Sequence, residues 1–201
     1  MKQCLKIISN RVILVPYEET HVLKYHEWMK SPELQEATSS VPLTLEEEYQ
    51  MQKSWRDDSD KYTFIVLDKE IFRTQNEKDS MVGDVNLFLL PKDDTSDHVV
   101  GEVTIMIAEK EARGKGLGQE ALLLMMSYAV RTLKISKFVA LIGENNTPSV
   151  KLFEKLKFQE VDKTYFGERK FEKIISESEW EDFTTSRGLL YEEYFYDRKI
   201  S

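Results

Sequence analysis

Residues 108–118, AEKEARGKGLG, constrain this chain more than any other stretch. An apolar run over 99–108 leads into them, and a longer one over 121–130 leads out. Three of the eight glycines, Gly114, Gly116 and Gly118, fall within five residues. Without a Cβ, the backbone there can take positive φ and come close to a ligand. A strand, a Gly-rich turn and a helix start gather several backbone N–H groups at the positive end of a helix dipole. Arg113 and Lys115 add formal charge in the same turn. The stretch predicts a site for a phosphate or pyrophosphate.

Spacing excludes two common phosphate loops. A dinucleotide fingerprint, G-x-G-x-x-G, needs its third glycine where Gln119 stands, and a Walker A loop, G-x-x-x-x-G-K-S/T, is absent. What is present is R-x-x-G-x-G: Arg113, Gly116 and Gly118.

Charge and cysteine usage narrow the classes further. The net charge of −8 argues against a nucleic-acid partner, which calls for a basic surface. The one cysteine, Cys4, rules out an intramolecular disulfide and fits a reducing compartment. No apolar run reaches the ~18 residues that span a bilayer. The segment holding Lys2 and Lys6 has no signal-peptide core. The expectation is a cytoplasmic or nuclear protein with no membrane partner. With 201 residues, one domain over 1–175 is expected, followed by a tail over 176–201.

In chain order, residues 11–16 predict a first strand stopped by Pro16. Residues 18–29 carry apolar side chains at helical spacing. Ser31-Pro32 opens a short helix to about Ala37, and Thr44-Leu45-Glu46-Glu47 is a capping box for a helix to about Trp55. Strands follow at 62–67, 82–90 and 99–108, an antiparallel meander, with a polar excursion over 68–80 and an acidic loop over 91–98. The helix over 119–132 is apolar on most faces, and Glu120, Ser127 and Arg131 form its one polar stripe. A strand at 138–142 follows a helix and so runs parallel to the strand before it. Asn145–Ser149 leads into a helix burying Val150, Phe153 and Leu156, and strands at 158–161 and 171–175 close the body. The tail carries Trp180, Phe183, Tyr191, Tyr194, Phe195 and Tyr196, too aromatic to stay free, so it packs on the body or on a partner.

This order, with the R-x-x-G-x-G loop, resembles the GNAT superfamily of acyl-CoA-dependent N-acyltransferases. RVILVPYEETHVLKYHEWMKSPEL over 11–34 is similar to the opening of its ribosomal-protein acetyltransferase branch. Asn146-Thr147-Pro148-Ser149 before KLFEKLKF resembles that branch's N-x-x-S helix, with Lys157 where a glycine is usual. PLTLEEEYQMQKSW, MVGDVNLFL and RGKGLG look most like tubulin-acetylating members. The likeness covers about 11–160. It implies an α+β fold: a central, mostly antiparallel sheet, splayed between the strands at 99–108 and 138–142 and flanked by helices.

The resemblance also implies the site. Acetyl-CoA is the expected cosubstrate, with no metal. Backbone amides of Gly114, Lys115, Gly116, Leu117 and Gly118 hold the pyrophosphate, with Arg113 nearby. A bulge at Met106, Ile107 and Ala108 frees N–H groups for the thioester oxygen, and Asn146 and Ser149 assist the pantetheine arm. Glu102 is the first candidate general base and Asp84 the second. Tyr165 is a weak candidate acid. A protein N-terminal peptide, tubulin among the possibilities, is the implied partner. Acetylation of a lysine or small amine, or a non-catalytic CoA-binding or cytoskeletal module, stay open. His98 with Asp93, Asp94 and Asp97 reads as a solvated charge run, not as a metal cluster.

Overall fold

A computed structural model of the chain describes residues 4–91, 97–164 and 167–197. It begins with a hairpin, β1 (Leu5–Ser9) and β2 (Val12–Pro16). Only β2 was legible, because polar residues interrupt β1. A 3-10 turn, Glu19–His21, leads into α1 (Val22–Trp28), then α2 (Pro32–Ala37) and α3 (Leu45–Asp57). The predicted capping box is in place. The Thr44 hydroxyl accepts from the Glu47 N–H at 3.3 Å, and the Glu47 carboxylate accepts from the Thr44 N–H at 2.7 Å. Ser31 precedes Pro32 as expected, but its side chain makes no cap bond.

The meander follows as β3 (Lys61–Asp68), β4 (Met81–Leu89) and β5 (Val100–Ile107). The polar excursion between β3 and β4 holds a helical turn, α4 (Lys69–Phe72), whose N-cap Asp68 accepts from the Glu70 N–H at 2.9 Å. Next come α5 (Leu117–Leu133), β6 (Lys137–Gly143), α6 (Thr147–Lys155), β7 (Gln159–Lys163) and β8 (Glu168–Ile174). The tail forms α7 (Glu177–Thr185) and β9 (Tyr191–Phe195).

The strands make one sheet in the order β7-β8-β6-β5-β4-β3-β2-β1-β9. Among the described residues only β5 and β6 pair in parallel; every other pair is antiparallel. On one face, the apolar stripe of α5 meets Leu14, Phe64, Val85 and Val103. Burying a leucine such as Leu122 or Leu124 there contributes ~1.5–3 kcal/mol. On the other face, α1 and α2 place Val22, Tyr25, Trp28 and Leu34 on Val15, Ile65 and Met106.

The polar stripe of α5 is not left to water. Glu120 pairs with Arg11 beside β2, Ser127 accepts from Trp180 Nε1 of α7 at 3.0 Å, and Arg131 donates to the Tyr191 hydroxyl of β9 at 2.7 Å. The stripe is the seam along which the N-terminal hairpin and the tail dock. The tail therefore packs on the body. Among the described residues no helix is long and apolar enough to cross a membrane.

After α6 the chain turns through Lys157, whose φ is +65°. The Phe158 N–H reaches back to the Phe153 carbonyl at 3.0 Å, which closes the helix as a Schellman turn. A residue with a Cβ is strained in this left-handed conformation. Lys157→Gly is expected to stabilise the fold by ~0.5–1 kcal/mol, read as a higher urea midpoint with unchanged slope.

Candidate active site

The parallel seam of the sheet opens. β5 pairs with β6 only at Val100↔Lys137, Gly101↔Phe138 and Glu102↔Val139. Beyond Glu102, β5 runs on to Ile107 against β4 alone, while β6 runs to Gly143 against β8. In an antiparallel ladder, successive residues point their N–H groups to opposite sides. Leu90 donates to Val100, and Ala108 donates to Val82 at 2.8 Å, so the even-numbered residues of β5 face β4. Ile105 and Ile107 accordingly turn their N–H groups into the wedge between β5 and β6. This corrects the expectation for Met106 and Ala108. Met106 faces β4 with its backbone and the α1-side core with its side chain, and the Ala108 N–H is bonded to Val82. The bulge lies one step later: Ala108 and Glu109 both donate to the Val82 carbonyl, at 2.8 and 3.2 Å.

The glycine loop stands at the mouth of this wedge. Gly114 and Gly116 have φ of +75° and +81°, and Gly116 is the N-cap of α5. A Cβ on Gly118 would sit 3.2 Å from Ile107 Cγ1, so the first turn of the helix rides close on β5. The free amides at the start of a 17-residue helix suit an anion. Lys115 is exposed above them. Arg113 is held differently from expectation. Its Nε donates to the Ile107 carbonyl at 2.8 Å, and its guanidinium pairs with Glu33 of α2 at 2.5 Å. It ties the end of β5 to α2. Asn146 caps α6, accepting from the Ser149 N–H at 3.2 Å, which places both residues just beyond the end of β6. Open amides, positive-φ glycines and a free strand edge make a site that fits CoA.

The face of the sheet beneath α1 and α3 is polar where it meets the wedge. Cross-strand partners share a face, giving the rows Ile65–Asp84–Met106, Thr63–Asn86–Thr104 and Lys61–Phe88–Glu102. Asn86 donates to Asp84 at 2.7 Å and to Thr104 at 3.3 Å, and Tyr25 donates to Asp84 at 3.4 Å. Asp84 is 2% exposed, and burial pushes its carboxyl up to about 6. Glu102 is half-buried at the last paired position before the wedge; burial, then the charge of Glu168, raise its carboxyl. Lys61, buried against the Trp55 and Phe88 rings, is pushed down to about 7 by burial.

A carboxyl raised on folding binds its proton more tightly in the native state. Its stabilising contribution is complete below the unfolded value near 4, and is lost as the pH rises through about 6. Asp84→Asn is therefore expected to stabilise the protein at pH 7.5 by ~1–3 kcal/mol and to change it little at pH 4. Thermal unfolding at the two pH values checks this.

The structure brings Glu102, Asp84, Ile107 and the 114–118 loop around one wedge. Sequence reasoning passed over Ile105, Lys61 and Arg11. Arg11 donates its backbone N–H to Glu120 at 2.7 Å and its side chain to the Lys115 carbonyl at 2.8 Å, so it braces the loop. Lys61 could have been noticed as a charged residue opening an apolar strand. Tyr165, Asp93 and Asp94 lie outside the described residues. His98 contacts Ser136 at 3.0 Å, and among the described residues no group of three or more acidic, His or Cys side chains could hold a metal.

Comparison with known proteins agrees with this geometry. The acetyltransferase (GNAT) domain model matches residues 11–159. The chain is 51% identical over 184 residues to alpha/beta-tubulin-N-acetyltransferase 9 of Homo sapiens, covering 89% of this chain and 87% of that one. It is 55% identical over 158 residues to the Drosophila melanogaster protein of the same name, covering 77% and 78%. Among solved structures, a Vibrio cholerae spermidine N-acetyltransferase in complex with CoA and spermine superposes with a TM-score of 0.67 at 18% identity, over 85% of this chain and 98% of that one. That likeness shows the fold. The family match and the identities show the rest: this chain is an acetyltransferase and belongs to the GNAT family.

Proposed function

We propose that the protein transfers the acetyl group of acetyl-CoA to the α-amine of a protein N-terminus, with tubulin as the substrate. The observation that carries this is the wedge. It turns toward the cosubstrate two N–H groups that β6 does not pair, those of Ile105 and Ile107, beside a polar face that holds two carboxylates with raised pKa. Acetyl-CoA supplies the acetyl thioester. The neutral acceptor amine attacks the carbonyl carbon from the polar face. Its surplus proton passes to Glu102, directly or through water, and the carbon–sulfur bond breaks to release the CoA thiolate, which takes up a proton from Glu102 or from water. Two residues apart on a strand, the two N–H groups stand ~6.5–7 Å apart, so one of them stabilises the oxyanion and the other is left for the pantetheine arm.

An α-amine asks less of such a base than a lysine does. Near neutral pH a sizeable minority of α-amines (pKa ~7.7–8.0) are free, against under about 1% of lysine amines (~10.4). The relatives named as tubulin N-acetyltransferases favour tubulin as the substrate. The test is release of CoA thiol from acetyl-CoA with peptides that copy tubulin N-termini, the same peptides blocked at the α-amine, and peptides with only a lysine amine. Release with the free α-amine peptides alone supports the reading. Release of equal rate with the lysine peptides overturns it.

A further inference from the structure

The family match ends at residue 159, yet the glycine loop lies in a cavity that later residues help to build. The cavity measures about 320 Å³. Its wall runs from Arg11, past Gly114, Lys115 and Gly116, to Lys155 at the end of α6 and Arg187 after α7. Four cations from four separate segments thus meet around the N-terminus of α5. One carboxylate, Glu120, shares the wall, and it is already engaged by Arg11. Arg187 is oriented by neutral partners alone: the Phe183 ring, 3.6 Å from its guanidinium carbon, and the carbonyls of Phe183 and Lys155 at 3.4 and 3.5 Å. Lys115 and Lys155 form none of the ion pairs found among the described residues. Gathering uncompensated cations around one concavity is unfavourable unless an anion shares it.

The loop amides account for a pyrophosphate. They do not account for Lys155 and Arg187, which lie on the far wall. We propose that Lys155 and Arg187, with Lys115, bind a third phosphate, the 3′-phosphate on the ribose of CoA, so that the C-terminal segment completes the cosubstrate site and selects CoA over 3′-dephospho-CoA. This rests on the acetyl-CoA reading above and adds to it Arg187, which lies outside the matched domain. Arg187 and the backbone it stands on are positioned by Phe183, whose ring stacks at 5.4 Å on that of Trp180, itself buried in the core. That packing explains why a segment so far along the chain can line a site at the start of α5.

The test is calorimetric binding of acetyl-CoA and of acetyl-3′-dephospho-CoA to the full chain, with no acceptor present. The wild type is expected to bind the dephospho compound about tenfold more weakly, the worth of one or two charge-assisted bonds. Arg187→Gln and Lys155→Gln are each expected to weaken acetyl-CoA alone, shrinking the ratio toward one while dephospho binding holds. Lys155 is exposed at a helix end, so its variant keeps the test open should Arg187→Gln fold poorly. Equal binding of the two compounds by the wild type overturns the proposal and leaves the acetyl-CoA reading standing. Binding of neither overturns both. A variant that weakens both compounds equally also overturns it, because such a residue does not read the 3′-phosphate.

Discussion

Glu102→Gln is expected to lower kcat at least ~100-fold with an α-amine peptide, the low end for loss of a general base. Glu102 projects from the last paired position of β5, on the polar face, at the point where β6 departs. Burial and the neighbouring Glu168 charge raise its carboxyl above the ordinary range. A carboxylate raised in this way is a better proton acceptor once ionised. In the wild type, activity should climb as the pH rises through that raised value, then climb again as the substrate α-amine loses its proton. The Gln variant should keep the second rise and lose the first. Its affinity for acetyl-CoA should be unchanged, because Glu102 is not part of the 114–118 loop. A kinetic pH series with calorimetric binding separates the two effects. If kcat survives in Glu102→Gln and collapses in Asp84→Asn, the base is Asp84, whose carboxyl near 6 lies one row deeper in the same face.

What was legible in the sequence follows from what local chemistry decides. The capping box at Thr44, the proline after Ser31, the helix start within 145–149 and the glycines of the loop each act over a few residues, and each appears where expected. The splay of β5 from β6 is not local. It depends on where pairing stops between segments some 35 residues apart, and it came only through the resemblance. Which N–H groups it frees could not be read from composition either. That needs the parity of β5 against β4, which removes Met106 and Ala108 from the expected donors, leaves Ile107 and adds Ile105. Arg113 shows the same limit. Its charge is plain in the sequence, but its partner, Glu33, lies 80 residues earlier. The polar stripe of α5 was legible as a stripe, but a one-dimensional pattern cannot say that Trp180 and Tyr191 return to satisfy it.

That return sets the second large expectation. Trp180→Ala should destabilise the protein by ~3–5 kcal/mol, the usual cost of emptying a buried aromatic site. Trp180 is 1% exposed, stacks on Phe183, and lies 6.4 Å from the Phe138 ring, centroid to centroid. The substitution also takes the indole N–H from the Ser127 hydroxyl, buried at the seam of α5. Phe195, 75% exposed on the edge strand β9, is the matched control: Phe195→Ala should move stability by no more than ~0.5 kcal/mol. Urea unfolding of the two variants decides whether the C-terminal segment is structural or appended. A Trp180→Ala protein as stable as the wild type would mean that α7 contributes nothing to the core. A protein destabilised as expected, with weakened acetyl-CoA binding in the fraction that stays folded, would tie the segment's packing to the cavity wall that Arg187 provides. Phe at position 180 should recover part of the packing but not the bond to Ser127, so its stability should fall between the two.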